Sequence, residues 1–191
     1  VLRGLTLGMP GRHNVENAIA ASTMALRQGV TPDALRDGLA SFRGVSRRFE
    51  VRINTPRVVF IDDYAHHPKE LDACIGSARE LHPGKRLTGV FQPHLFSRTR
   101  DLAADFGRSL SALDELILLD IYPAREEPIE GITSQWLLQQ VPMETKVIST
   151  KEGLLELLKD RRIEVLLTMG AGDIDRSVPA IERLLNERHL P

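Results

Sequence analysis

The sequence predicts an α/β protein: a Rossmann-like, mostly parallel sheet with helices on both faces, preceded by a short helical segment. Three observations predict it. From residue 58 onward, short apolar runs alternate with amphipathic stretches of helical period. Those apolar runs are continuous, as in strands buried on both faces of a parallel sheet. The first 46 residues instead hold two helical stretches and no strand-like run.

The elements follow in order. "NVENAIAASTMALRQG" (14–29) is rich in Ala, with Gly29 as C-cap. "TPDALRDGLASF" (31–42) opens with Thr31 as N-cap and Pro32 at the first helical position. "RGVSRR" (43–48) is polar and marks a domain boundary. "FEVRI" (49–53) alternates like a half-exposed strand, and "NTPR" is a turn. "VVFID" (58–62) reads as a buried strand, and the hairpin-like 49–62 adds one antiparallel strand. A helix over 68–82 starts at Pro68. Strand 86–92, helix 97–113, strand 115–121, helix 133–141 and strand 145–149 come next. Helix 151–160, strand 164–170 and helix 175–188, with Pro179 in its first turn, complete the chain.

Composition narrows the function classes. The 191 residues suffice for one domain and part of a second. Acidic residues number 26 against 25 Lys plus Arg, which gives no electrostatic case for a nucleic-acid partner. The single cysteine, Cys74, cannot form an internal disulfide and reads as a small apolar filler on a helix. No apolar run reaches the ~18 residues of a membrane helix, and no signal-peptide pattern opens the chain. The expected location is the cytoplasm. The opening "VLRGLTLGMPGRHN" reads like mid-chain sequence, so a fragment of a longer protein is expected.

In an open parallel sheet, ligands bind outside the carboxyl ends of the strands. The polar clusters fall there: "DDYAHH" after the first buried strand, "QPHLFSRTR" (92–100) after the second, "YPAREEPIEG" (122–131) after the third and "GAGD" (170–173) after the last. The fold would gather them on one edge. Each also has a plainer reading. Asp62 and Asp63 can cap the following helix. His66 and His67 can be solvated loop residues, Arg98 and Arg100 surface charges, and Glu126 and Glu127 a solvated loop face. "GAGD" can be a tight turn with Asp173 as N-cap. No GxxxxGK[ST] loop, no zinc-spaced Cys/His set and no GxSxG elbow occurs.

Five motifs in one order are more specific than any of them singly. They are "GRHNVENAIAA" (11–21), "FRGVSRRFE" (42–50), "DDYAHHP" (62–68), "FQPHLFSRT" (91–99) and "GAGDI" (170–174). Together they span nearly the whole chain and resemble the bacterial Mur ligases, in particular the C-terminal part of the branch that adds L-alanine to UDP-N-acetylmuramate in peptidoglycan precursor synthesis. The resemblance implies that residues 1–46 are the C-terminal helices of a central ATP-binding domain. Residues 47–191 would be the C-terminal Rossmann-like domain. It also implies ATP and magnesium (Mg2+) as cofactors, with the magnesium ligands upstream of this chain. The implied partners are ATP, L-alanine, UDP-N-acetylmuramate and the protein's own N-terminal and central domains. The implied reaction passes through an acyl phosphate, which the alanine amine attacks.

Matched motif by motif, the resemblance implies roles for individual residues. Asn14 and Asn17 would hold adenine, since a carboxamide offers both a donor and an acceptor; their plainer reading is an N-cap and a polar helix face. Arg48 would reach the nucleotide phosphates, and Asp63 would accept from the ribose hydroxyls. Tyr64, His66 and His94 would line the amino-acid end, with His66 meeting the amine as a catalytic residue. Arg98, the second catalytic candidate, would pair with the alanine carboxylate through its guanidinium fork. Leu95 departs from the pattern, because many relatives carry Arg directly after QPH. A murein peptide ligase, which attaches a tripeptide, and a non-catalytic nucleotide-binding module are the alternatives. "FQPHLF" favours alanine addition over the first.

Overall fold

A computed structural model describes residues 2–9 and 11–189. Two helices open it, α1 (Arg12–Arg27) and α2 (Pro32–Ser41). α1 starts two residues earlier than its sequence pattern suggests, so Asn14 lies inside the helix and Gly11 is its N-cap. Gly29, at φ 88°, ends it in the left-handed conformation that glycine adopts without strain. Thr31 caps α2 as expected, its hydroxyl accepting the Ala34 amide at 3.3 Å.

The rest of the chain builds a six-stranded sheet. Its strands are β1 (Glu50–Asn54), β2 (Val59–Asp63), β3 (Leu87–Phe91), β4 (Glu115–Leu118), β5 (Lys146–Ile148) and β6 (Val165–Met169). The spatial order is β1-β2-β6-β3-β4-β5. β1 pairs antiparallel with β2, with a register irregularity between Val51 and Ile53. All other pairs are parallel. This is the mostly parallel α/β sheet that the alternating pattern predicts.

Period-two alternation divides the core between two faces. Val59 and Ile61 of β2 join α3 (Pro68–Leu81), α5 (Ala103–Leu110) and α6 (Ser134–Gln139) through Leu71, Phe106 and Leu137. Phe60 points the other way, toward Leu154 of α7 (Lys151–Lys159) and Leu185 of α8 (Val178–His189). Burial of each such side chain is worth about 1.5–3 kcal/mol, so both faces are covered. Cys74 sits in the first cluster, 2% exposed, as the apolar filler expected.

Two predicted helices differ in detail. The stretch 97–113 divides into α4 (Phe96–Asp101) and α5 at Leu102, which has φ −113° and ψ 16°. α5 turns Phe106 and Leu110 into the core, whereas α4 buries only Thr99. The last helix is preceded by a 3-10 turn over Asp173–Ser177 whose N-cap is Gly172, not Asp173. The Asp173 carboxylate is engaged by Gln92 and Lys151 and is not free to cap. No helix among the described residues is long and apolar enough to cross a membrane.

Candidate functional site

From β2 the chain steps outward through β3, β4 and β5 with α3, α5 and α6 on one face. α7 then returns on the other face and sets β6 between β2 and β3. The loops leaving β2, β6 and β3 therefore diverge at adjacent strand ends, where such sheets form clefts.

Asp62 and Asp63 end β2 on opposite faces, and neither caps α3. His67 does that, its ring accepting the Lys69 amide at 3.3 Å in a capping box with Glu70. Asp62 is buried, accepts the Thr168 hydroxyl at 2.6 Å and lies 3.3 Å from the Arg47 guanidinium. Burial raises its pKa, against the opposing pull of Thr168 and Arg47. Asp63 accepts the Phe49 and Ala65 amides at 2.7 Å each, one on each oxygen. Burial raises its pKa too, those two amides opposing. Each Asp63 oxygen keeps a lone pair for a further donor.

The two adjacent arginines separate. Arg47, left-handed at φ 60°, turns inward: it donates to the Gly170 carbonyl at 2.6 Å and lies over the Tyr64 ring at 5.1 Å. Arg48 stays exposed, near enough to Asp63 to oppose the rise in that group's pKa. Sequence reasoning selected Arg48 and missed Arg47. Two neighbouring arginines carry no signal of which one turns in.

Aromatic rings connect three loops. Tyr64 meets His66 edge-on at 5.1 Å, His66 meets His94 at 6.0 Å, and His94 stacks on Tyr122 at 5.6 Å. The His66 Nδ1 lies 2.9 Å from the Tyr64 carbonyl and 3.2 Å from a Glu70 oxygen. Both neighbours only accept, so Nδ1 carries the proton and Nε2 keeps its lone pair in the neutral ring. Burial, then the Arg98 and His66 charges, lower the pKa of His94. Five side-chain atoms among the described residues are buried without a hydrogen-bond partner, Ser22 Oγ, Arg47 Nε, His94 Nδ1, Arg98 Nη1 and Arg161 Nε, and two of them, on His94 and Arg98, belong to this group. Such orphaned atoms are unusual in a native protein and mark places where a ligand can complete the bonding.

Four further residues brace these loops. Gln92 donates to Asp173 at 2.9 Å and accepts the Ile174 amide at 3.0 Å, while Lys151 also pairs with Asp173. Burial raises the Asp173 pKa, but the bonds from Lys151 and Gln92 outweigh it and leave the carboxyl below its ordinary value. Glu126 is not a solvated face: it accepts the Ser97 amide at 2.9 Å and the Ser97 hydroxyl. Arg100 is the surface charge expected, paired with Asp101.

A cavity of about 700 Å³ lies between the helical segment and the sheet. Asn14 and Asn17 of α1 line one side, and Arg48, Asp63, Tyr64 and His66 line the other. Leu39, Phe42, Ala73 and Cys74 supply apolar walls. An apolar slot with carboxamides at one side and a carboxylate and a guanidinium at the other fits a purine nucleotide. His94 and Arg98 lie outside this lining and extend the site beyond His66. Among the described residues no three His, Cys, Asp or Glu side chains are grouped so as to hold a metal ion.

The family model described as "Mur ligase, glutamate ligase domain" matches residues 47–172. The chain belongs to the Mur ligase family. Its curated relatives include the UDP-N-acetylmuramate–L-alanine ligase of Flavobacterium johnsoniae, 49% identical over 98% of this chain and 42% of that protein. The enzyme of the same name from Porphyromonas gingivalis is 54% identical over 96% of this chain and 41% of its own length. This Mur ligase chain thus spans about two fifths of the relatives it matches. Among solved structures, the UDP-N-acetylmuramate–alanine ligase of Thermotoga maritima superposes with a TM-score of 0.78 at 26% identity, over 96% of this chain and 40% of that one. A murein peptide ligase from Psychrobacter arcticus shares the fold, with a TM-score of 0.65 at 19% identity over 95% of this chain and 38% of its own.

Proposed function

We propose that this chain is the C-terminal part of an ATP-dependent ligase that joins L-alanine to UDP-N-acetylmuramate. Residues 1–46 would close the central ATP-binding domain and residues 47–191 would form the C-terminal domain. The observation that carries the reading is the ring contact of His94 with His66 at the end of a nucleotide-sized cavity, with His94 Nδ1 and Arg98 Nη1 among the buried atoms that lack a hydrogen-bond partner. The identity of 54% to a protein named for this reaction supports it.

Each residue then has a task. Asn14 and Asn17 read the adenine edge, and Asp63 accepts from the ribose. Arg48, exposed at the cavity, meets phosphate charge that grows during transfer. Tyr64 walls the amino-acid end. Arg98 holds the alanine carboxylate as a fork, and His94 adds one ring nitrogen. His66 presents its Nε2 lone pair to the alanine amine, which must lose a proton to attack an acyl phosphate. ATP supplies the phosphoryl group that activates the sugar carboxylate. Magnesium ligation, which the family likeness implies, is assigned to residues outside this chain. The compartment is the cytoplasm, in keeping with a lone, buried cysteine.

The test is phosphate release dependent on ATP, UDP-N-acetylmuramate and L-alanine, measured for this chain and for the longer protein that contains it. A silent chain beside an active, alanine-dependent parent is expected. A parent that uses the tripeptide and ignores alanine would replace this reading with the murein peptide ligase.

A further inference from the structure

α4 begins without a cap of its own. Its N-cap residue, Leu95, is left-handed at φ 73° and its side chain makes no capping bond. The cap arrives from the loop after β4. Glu126 accepts the Ser97 amide through one carboxylate oxygen and the Ser97 hydroxyl through the other. The same loop holds the residues before α4. The Tyr122 amide donates to the Pro93 carbonyl at 2.8 Å, and the Leu95 amide donates to the Tyr122 carbonyl at 2.9 Å. The loop is itself closed by a turn, with the Glu126 amide 2.9 Å from the Pro123 carbonyl and Ala124 at φ 52°.

The segment so gripped carries His94 and Arg98, two of the five described residues with a buried side-chain atom that lacks a hydrogen-bond partner. Tyr122 also stacks on the His94 ring. A guanidinium selects a carboxylate by geometry, so the backbone that carries it must be fixed. Six residues of helix with an uncapped, left-handed entry would not fix it alone.

We propose that Glu126 is a positioning residue for the amino-acid end of the site. By capping α4 from the β4–α6 loop, its carboxylate sets the segment on which His94 and Arg98 meet the amino acid. The proposal rests on the roles given above to His94 and Arg98. The same placement has an electrostatic consequence. Burial, then the Arg98 and His66 charges, press the His94 pKa down, and Glu126 presses it up.

Glu126→Ala and Glu126→Gln test it, in the longer ligase and in this chain. Gln keeps an oxygen for the Ser97 amide but loses the charge; Ala loses both. In the ligase, Glu126→Ala should raise KM for L-alanine about tenfold or more while KM for ATP stays within about twofold, and Gln should recover most of that loss. In this chain, a histidine titration followed by NMR should show the His94 pKa falling in both variants. Equal rises in the two KM values would overturn the proposal, and so would a His94 titration that does not move. If the unsubstituted ligase ignores L-alanine, the substrate reading fails separately. The positioning role then stands or falls on the His94 titration and on KM for the amine substrate actually used.

Discussion

At the residue scale, adjacent positions of like chemistry take different jobs. Arg47 is spent on Asp62, Gly170 and Tyr64, whereas Arg48 faces the cavity. Asp62 is locked to Thr168, whereas Asp63 lines the cavity. Arg98→Ala in the full-length ligase should raise KM for alanine about 10- to 100-fold, the loss of a charge-assisted pair worth ~1.5–3 kcal/mol. KM for ATP should barely change; steady-state kinetics with each substrate varied will decide, and equal effects would refute the carboxylate role. Asp173 gives a pH prediction. Its folded pKa is below the ordinary 3.8, so its contribution to stability is full above that value and is lost as pH falls through the folded one. Asp173→Asn should therefore be less stable than the parent at pH 7, with the gap narrowing at a pH below 3.8. Urea unfolding at the two pH values checks this.

At the element scale, close approach of backbones does what no local pattern announces. A Cβ on Gly107 of α5 would lie 2.3 Å from the Gln140 carbonyl oxygen at the end of α6. Gly107→Ala should cost about 1–3 kcal/mol, because backbone on the neighbouring element must shift. Thermal unfolding should show a clear drop; an unchanged midpoint would mean that α5 and α6 are farther apart. The division at Leu102 belongs to this scale as well. The sequence 97–113 is helical throughout in propensity, but only its second half has an apolar face to bury. Glu126 is the counterpart among loops: it reads as a solvated charge until the fold brings Ser97 to it.

At the scale of the whole molecule, the cavity joins residues separated by the linker 43–48. If both walls hold one nucleotide, ATP should slow hydrogen exchange in α1 and in residues 62–67 together. Protection confined to one wall would mean that the cavity is not a shared site. Closure of the two walls on the ligand would also exclude water from the cavity.

The strand-helix alternation, the antiparallel edge strand and the gathering of polar clusters at strand ends were all legible in the sequence. Each depends on period, run length and turn chemistry, which are local. Asn14, Asn17, Arg48, Asp63, Tyr64 and His66, singled out through five motifs in fixed order that carry a family likeness, line one cavity. Tertiary structure alone decided which arginine turns inward, which carboxylate caps which helix and where two orphaned ring and guanidinium nitrogens come to rest. Those outcomes depend on contacts between residues far apart in the chain: Arg47 with Gly170, Gln92 with Asp173, Ser97 with Glu126. No local pattern encodes such a pair, because either partner has a satisfactory solvated state until packing removes the water.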